Sequence, residues 1–339
     1  MLEELTTSGA ADDAAPKKKH HVRRIIVSVV SVVLLLTVGS GAAYLAFLNH
    51  TVTTNVKHAS LLPTPGAGEP APAKDPAAKD AQNILLIGSD SRGNVANGRS
   101  DVIVLVHISS DRKKVYLVHF PRDMYVDVPG HGKDKINAAY AYGGPQLLVR
   151  TLQKLVDVPL DHVAFIGFDG FKAMTDAVGG VDVYAEEAST EPGAGTVHVG
   201  VNHLDGAAAL AFVRERHQLS EGDISRGRRQ QAFIKALMLQ SLSFDTLTNP
   251  VRFAELVSAG TSNLTVDDAF SIADMRSEAL AMRNIRSRDI AFITAPITGF
   301  GTSPIGGSID IVDVAKMAQL SRALKSDDMS NISLGQQIP

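Results

Sequence analysis

The sequence predicts an α/β domain, a single sheet covered on both faces by helices, carried behind one membrane-spanning helix. Three observations lead there. From Asn83 onward, short apolar runs alternate with segments whose apolar residues recur at helical spacing. The strand-like runs are nearly continuous in apolar residues, as expected of strands buried on both faces. One long uncharged run, Ile25 to Phe47, precedes everything that reads as folded.

The chain has 339 residues, a formal net charge of −3, 45% hydrophobic residues and no cysteine. That length suffices for a core of its own. The charge balance makes no case for nucleic-acid binding. The lack of cysteine excludes thiol catalysis and Cys-based zinc sites, and an extracellular domain of this size folds without disulfides.

The run IIVSVVSVVLLLTVGSGAAYLAF (25–47) reaches the roughly 20 apolar residues that cross a bilayer as a helix. Lys17, Lys18, Lys19, Arg23 and Arg24 precede it, and the next lysine or arginine is Lys57. The positive-inside rule therefore keeps residues 1–24 in the cytoplasm as a basic tail and exports the rest. The expected location is the cell membrane, single-pass, with the domain extracellular. A cleaved signal peptide is the alternative, but its apolar core is shorter, about 7–15 residues. Residues 48–81, rich in Pro and Ala, predict a semi-extended spacer. The domain is expected over 82–326, with 327–339 as a flexible end.

Within the domain, NILLIG (83–88), DVIVLVHIS (101–109) and KVYLVHF (114–120) predict strands. Pro145 to Val156 carries Leu148, Leu152 and Leu155 at helical spacing. VAFIGF (163–168) is a strand, followed by a short helix through Phe171, Met174 and Val178 that Gly179 and Gly180 stop. VDVYA (181–185) is a strand; Leu204 to Val213 and Ser225 to Leu242 are helices. Thr265, Asp267 and Asp268 predict the opening of a helix through Met282. DIAFITA (289–295) is a late strand and Ile311 to Leu324 a closing helix, while the Gly-rich GFGTSPIGG (299–307) reads as a loop.

Three polar features stand out. GSDSR (88–92) follows a buried strand, and Asp101 opens the next. Strand ends are where α/β folds place their chemistry, and carboxylates at Asp90 and Asp101 suit a hard cation such as Mg²⁺. Each can equally be a turn-former. FPRD (120–123) ends the third strand, and Lys135 adds a cation. Arg122 also fits a salt bridge with Asp123 or Asp127, and Lys135 simple solvation. The segment FVRERHQLSEGDISRGRRQQ (212–231) is the densest polar stretch. Arg214 and Arg216 share a face if extended, and Arg226 and Gln230 stack if helical. Arginine suits bidentate phosphate recognition, although a solvated helix face describes Arg228 best. Arginines with two carboxylates on an apolar domain describe a site for a phosphoryl group. No P-loop, HExxH or GxSxG occurs. NLT (263–265) is a formal glycosylation site and no more.

NILLIGSDSR, RSDVIVL, FPRDMYVDVPG, KINAAYAYGG, GFDGF, AVGGVDV, HLDGAAALAFVRER and DISRGRRQQ stand in this order behind a basic tail, an apolar span and a Pro-rich linker. Together they resemble the LytR-CpsA-Psr family of cell-envelope proteins, over roughly Asn83 to Gln240. The resemblance implies a three-layer α/β/α sandwich with a central mixed sheet and a hydrophobic tunnel for a lipid. It implies an enzyme that moves a glycopolymer, teichoic acid for example, from a polyprenyl-pyrophosphate carrier such as undecaprenyl pyrophosphate to peptidoglycan, leaving a phosphodiester. Magnesium, or manganese in its place, is the implied cofactor.

Carried over position by position, Asp90 and Asp101 match the metal-associated carboxylates, and Arg99 and Arg122 match residues around the pyrophosphate. Lys135, Arg214, Arg216, Arg226 and Gln230 match other headgroup contacts. Leu148, Leu152, Phe171, Phe233 and Leu237 are candidates to line the tunnel, with ordinary core packing as the alternative. Two positions depart from the family pattern: His119 stands where a serine is usual, and Ser225 where a glycine is usual. The extra Cys-containing C-terminal domain of some relatives is not expected here. A polyprenyl-pyrophosphate phosphatase and a non-catalytic lipid-binding regulator remain the alternative functions.

Overall fold

The computed structural model describes residues 38–64, 71–89, 100–191, 195–215, 217–330 and 332. The chain divides into two compact units, Met1–His50 and Thr51–Pro339. In the first, residues 38–50 are helical. Most of the expected span, residues 25–37, lies outside the described residues, and no helix among the described residues is long and apolar enough to cross a membrane.

The second unit is built on a seven-stranded mixed sheet. Its strands are β1 (Lys57–Ala59), β2 (Gln82–Ser89), β3 (Ser100–Ile108), β4 (Val115–His119), β7 (His162–Gly167), β12 (Leu264–Asp267) and β13 (Ile290–Thr294). Between them in the chain come β5 (Tyr125–Val128) and β6 (Gly132–Lys135), then β8 (Val181–Ala185), β9 (Ser189–Glu191), β10 (Gly195–Val197) and β11 (Gly200–Leu204). The spatial order is β1-β12-β7-β2-β3-β4-β13. β2 runs parallel to β7 and antiparallel to β3, and β4 runs antiparallel to β3 and parallel to β13. The C-terminal ends of β2, β4, β7 and β13 thus meet the N-terminal end of β3 along one edge.

The helices are α1 (Ile136–Val156), α2 (Phe168–Ala177), α3 (Gly206–Arg214), α4 (Asp223–Ser241), α5 (Phe244–Thr248), α6 (Pro250–Ser262), α7 (Ile272–Ala281) and α8 (Val314–Ser326). Successive side chains of a strand point to opposite faces. Leu85 and Ile87 of β2 accordingly join Ile103, Leu105, Leu148, Leu152 and Leu320 in one cluster, while Ile84 packs with Val115, Ala164, Val266 and Phe270 in another. A third cluster gathers Val181, Val183, Phe212, Phe233 and Leu237 from β8, α3 and α4.

Several elements differ from the sequence expectation. Residues 57–59 are an edge strand rather than spacer, pairing parallel with β12, and Leu61 just beyond is 1% exposed inside the main core. A three-residue Lys-His-Ala strand has no apolar signature; backbone pairing alone makes it. Truncating Leu61 to Ala is therefore expected to cost about 2–4 kcal/mol, read as a lower urea midpoint at unchanged slope. Leu264–Asp267 is a strand and not a helix start. Its Leu-Thr-Val run pairs with β7, and the Asp267 carboxylate accepts from Val163 N at 2.9 Å and Ala269 N at 3.0 Å. Ser271 caps α7 instead, its Oγ accepting from Asp274 N.

Helix α1 begins before Pro145 because Ile136 N and Asn137 N donate to Met124 O and Arg122 O. It kinks at Gly144, whose φ of 61° leaves the helical region ahead of the proline. Of GFGTSPIGG, 299–302 is the second part of β14 (Ile297–Thr302) and 303–307 is the tip of its hairpin with β15 (Ser308–Val312), so the closing helix starts only at Val314. At the C-terminal end, Asp327 accepts from buried His107 Nε2 at 2.9 Å and from Ser110 N, and Met329 is 3% exposed. Residues 327–329 are therefore packed against the domain.

Candidate active site

The edge where the strand ends converge collects the polar residues. β2 and β3 pair Gly88 with Val102 and then Ser89 with Ser100, so the register slips and Asp101 is the extra residue of a β-bulge. Bulges bend a strand and re-aim a side chain, and they recur beside active sites. A Cβ at Gly88 would come within 2.9 Å of Val102 Cβ, so this close approach requires glycine. Next to Asp101, Ser100 is fully buried, and its hydroxyl has no hydrogen-bond partner among the described residues.

β4 ends at His119 opposite Val104, with Phe120 N donating to Ile103 O. The chain then runs on beside the start of β3. Met124 N closes a turn onto Pro121 O, and this turn carries Arg122 and Asp123. Asp123 is 7% exposed; it sits 3.5 Å from Arg122 Nε and holds Lys135 Nζ at 2.8 Å. Asp127, the other conceivable partner of Arg122, pairs with Lys154 instead. The β14–β15 hairpin abuts this group: Asp310 N donates to Asp123 O, and a Cβ at Gly307 would touch Lys135.

From the other side, α4 lays Arg226, Gln230 and Gln231 against the end of β4, all under 10% exposed. Gln231 Nε2 donates to His119 Nδ1 at 3.3 Å and also to Thr294 Oγ1, which the β4–β13 register places beside His119. An imidazole accepting at Nδ1 carries its proton on Nε2. Burial, the nearby Arg226 cation and a hydrogen bond with Gln230 set its basicity; the first two win and push the pKa down to about 4. His119 is thus neutral around pH 7. A buried neutral histidine gains a proton on unfolding once the pH falls below its ordinary value, so stability declines between about 6.5 and 4. The loss due to this residue is roughly 3 kcal/mol. Urea unfolding at pH 7 and pH 4 is expected to show that decline reduced by this amount in His119→Asn.

Arg214 ends α3 with its guanidinium carbon 5.2 Å over the Phe168 ring, at the C-terminal end of β7. Glu215, 3% exposed, accepts from Gln218 N with Oε1, while Oε2 has no hydrogen-bond partner among the described residues. Gln230 Nε2 donates to Val213 O, which ties α4 to the end of α3. Arg228 is held by Glu186 at 2.8 Å and by Glu221 at 2.5 Å rather than solvated.

The structure thus brings Arg122, Lys135, Arg214, Arg226 and Gln230 to one end of the sheet, with the backbone of Asp101 at the same edge. Asp90, Arg99 and Arg216, and the side chain of Asp101, lie outside the described residues. The apolar candidates divide: Leu148 and Leu152 belong to the main core, and Phe171, Phe233 and Leu237 to the α2–α3–α4 cluster, where the Phe171 and Phe233 rings stack at 4.2 Å. Sequence reasoning gave Asp123 only as a salt-bridge partner of Arg122 and missed Gln231 and Thr294 as members of the site. The Gln230-Gln231 doublet was the available signal for Gln231. Among the described residues no three His, Asp or Glu side chains gather as a metal site; Ser100, next to Asp101, keeps a buried hydroxyl without a partner there, an oxygen donor of the kind a hard divalent cation favours, and His119 Nδ1 is already taken.

Comparison with known proteins adds four findings. The profile of the LytR_cpsA_psr family matches residues 44–326. Probable cell wall biosynthesis protein LcpB of Corynebacterium glutamicum is 37% identical over 250 residues, covering 69% of this chain and 59% of that protein. The chain therefore spans about three-fifths of that relative's length. The polyisoprenyl-teichoic acid–peptidoglycan teichoic acid transferase TagU of Enterococcus faecalis is 32% identical, covering 73% of this chain and 80% of TagU. Among solved structures, TagT bound to LI-WTA superposes with a TM-score of 0.60 at 27% identity, covering 80% of this chain and 99% of TagT.

Proposed function

The chain belongs to the LytR-CpsA-Psr family, and from that premise we propose that it transfers a cell-wall glycopolymer from a polyprenyl-pyrophosphate carrier to peptidoglycan. The reading continues with residues 25–47 as the membrane anchor and the domain outside the cell. The observation that carries it is the gathering of Arg122, Lys135, Arg214, Arg226 and Gln230 at one strand-end edge, on a domain otherwise built of apolar clusters. The named activity of TagU supports it.

In this reading a sugar hydroxyl of peptidoglycan attacks the phosphorus nearer the glycan. A phosphorus–oxygen bond forms, the bond to the bridging oxygen breaks, and polyprenyl phosphate leaves with that oxygen. Asp90 takes the hydroxyl proton. Little covalent work falls to the protein; charge neutralisation and alignment supply most of the effect. Arg122, Arg214, Arg216 and Arg226 bind and neutralise the pyrophosphate oxygens, joined by Arg99, Lys135 and Gln230. Asp123 keeps Lys135 and Arg122 oriented. Asp90 and Asp101 would hold magnesium, or manganese, whose chemistry is to neutralise pyrophosphate charge. The neutral His119 adds no charge but fixes Gln231 and the start of α4. An anchor beside a membrane-borne substrate raises its local concentration.

The test supplies the full chain in detergent with a short-chain polyprenyl-pyrophosphoryl glycan, peptidoglycan and Mg²⁺, then digests the product with muramidase. Muropeptides heavier by the glycan plus one phosphate are the expected result. Release of free glycan phosphate with unmodified muropeptides would overturn the reading in favour of hydrolysis.

A further inference from the structure

Helix α4 has a second working face. Arg226, Gln230, Phe233 and Leu237 form its buried stripe. Roughly 150° round the helix from it, given 3.6 residues per turn, Ser225, Arg228, Ala232, Lys235 and Leu239 form another. This stripe looks across at the outward residues of β8, Asp182 and Tyr184, which alternate with buried Val181, Val183 and Ala185. Between helix and strand lies a cavity of about 140 Å³.

The walls describe the ligand. One is aromatic and exposed: Tyr184 is 54% exposed. The helix side contributes Ala232, Ala236 and Leu239. The charged lining balances, Asp182, Glu186 and Glu187 against Arg228, Arg229 and Lys235. A phosphate-rich polymer or a cation therefore gains no net attraction. Part of the charge is already committed to the fold. Glu187 accepts from Ser225 Oγ and Ser220 N, and Arg229 donates to Ser189 Oγ and Glu187 O. Arg228 is fixed by Glu186 and Glu221, so its orientation is set before any ligand arrives. A concave site with an aromatic wall, an apolar floor and a few oriented donors and acceptors of both kinds suits an uncharged, polyhydroxylated ring.

We propose that the groove between α4 and β8 is a saccharide subsite that takes a neutral pyranose of the acceptor glycan. The assignment to the acceptor rests on the transferase reading; the chemistry of the pocket does not. α4 is the common wall, with Arg226 and Gln230 facing the strand-end site and Ala232, Ala236 and Leu239 facing the groove. A helix is about 10–12 Å across, so a glycan strand with one sugar at the strand-end site meets the groove with a nearby unit.

The test is saturation-transfer difference NMR on the full chain in detergent, with tetra-N-acetylchitotetraose as probe and no donor present. Transfer to the sugar ring protons is expected in the wild type. Tyr184→Ala is expected to weaken binding roughly three- to tenfold, and Ala236→Phe, which fills the groove, to abolish it. Phe244→Ala, at a residue 83% exposed and outside the groove, serves as the control and leaves binding unchanged. Any signal from a glycerol phosphate oligomer, which the strand-end arginines bind, is expected to be unchanged by Tyr184→Ala and Ala236→Phe. Absence of saturation transfer to the saccharide in the wild type, equal saccharide binding by Tyr184→Ala, or loss of phosphate-oligomer signal in Ala236→Phe would overturn the proposal. The measurement needs no turnover. Lost binding with intact transfer would remove only the subsite, and binding without transfer would remove only the transferase reading.

Discussion

Arg122→Ala is expected to lower glycan transfer by about 10²–10³-fold, the usual cost of removing one fixed donor from developing anionic charge, with the fold intact. The structure separates the two effects. What Arg122 gives the fold is its carbonyl, which accepts from Asn137 N at the start of α1, and its place in a turn set by Pro121. The side chain lies 3.5 Å from Asp123, and its removal leaves Asp123 with its closer partner, Lys135 at 2.8 Å. Buried Asp123 therefore keeps a cation, and the large penalty of an orphaned charge does not arise. Transfer rates together with urea midpoints check this: a large fall in kcat with a midpoint close to wild type is the expected pair. A protein that loses stability and activity in parallel would make Arg122 a structural residue.

Asp101→Ala is expected to have the larger effect, about a thousandfold loss of transfer, because it removes a cation ligand worth several kcal/mol. The fold tolerates the change for a local reason. As the extra residue of the bulge, Asp101 stands between the Gly88–Val102 and Ser89–Ser100 pairs, and alanine leaves both in place. Calorimetric titration with Mg²⁺ supplies a readout independent of turnover. Heat of binding in the wild type and none in the variant is the expected outcome, and chelation of the wild type is expected to reproduce the loss of transfer. Equal Mg²⁺ binding by both proteins would take Asp101 out of the metal site.

The central strands were legible because burial on two faces leaves a continuous apolar run, and β2, β3, β4 and β7 all have one; β13, an edge strand, was legible from its own apolar run. The opposite edge was not. β1 is strand only because β12 offers it a backbone, and β12 is four residues ending in an aspartate that reads like a helix cap. The hairpin over 299–307 was hidden by its glycines, although β14 alternates half-buried and exposed residues along its length. In the site, arginines placed after strands announced themselves by residue type. The contacts around His119 did not, since they require the β4–β13 register and the seating of α4 at once. The same holds for Lys135: only the fold shows that Asp123 and the β14–β15 hairpin hold it.

The most direct test of the central claim follows the phosphorus. A short-chain polyprenyl-pyrophosphoryl glycan labelled with ³²P at the phosphate next to the sugar is supplied with peptidoglycan, Mg²⁺ and the full chain in detergent. The label is expected on peptidoglycan, in equal amount to the glycan transferred, with unlabelled polyprenyl phosphate released. Label left on the lipid, or set free as glycan phosphate while peptidoglycan stays unlabelled, would contradict transfer at the strand-end site.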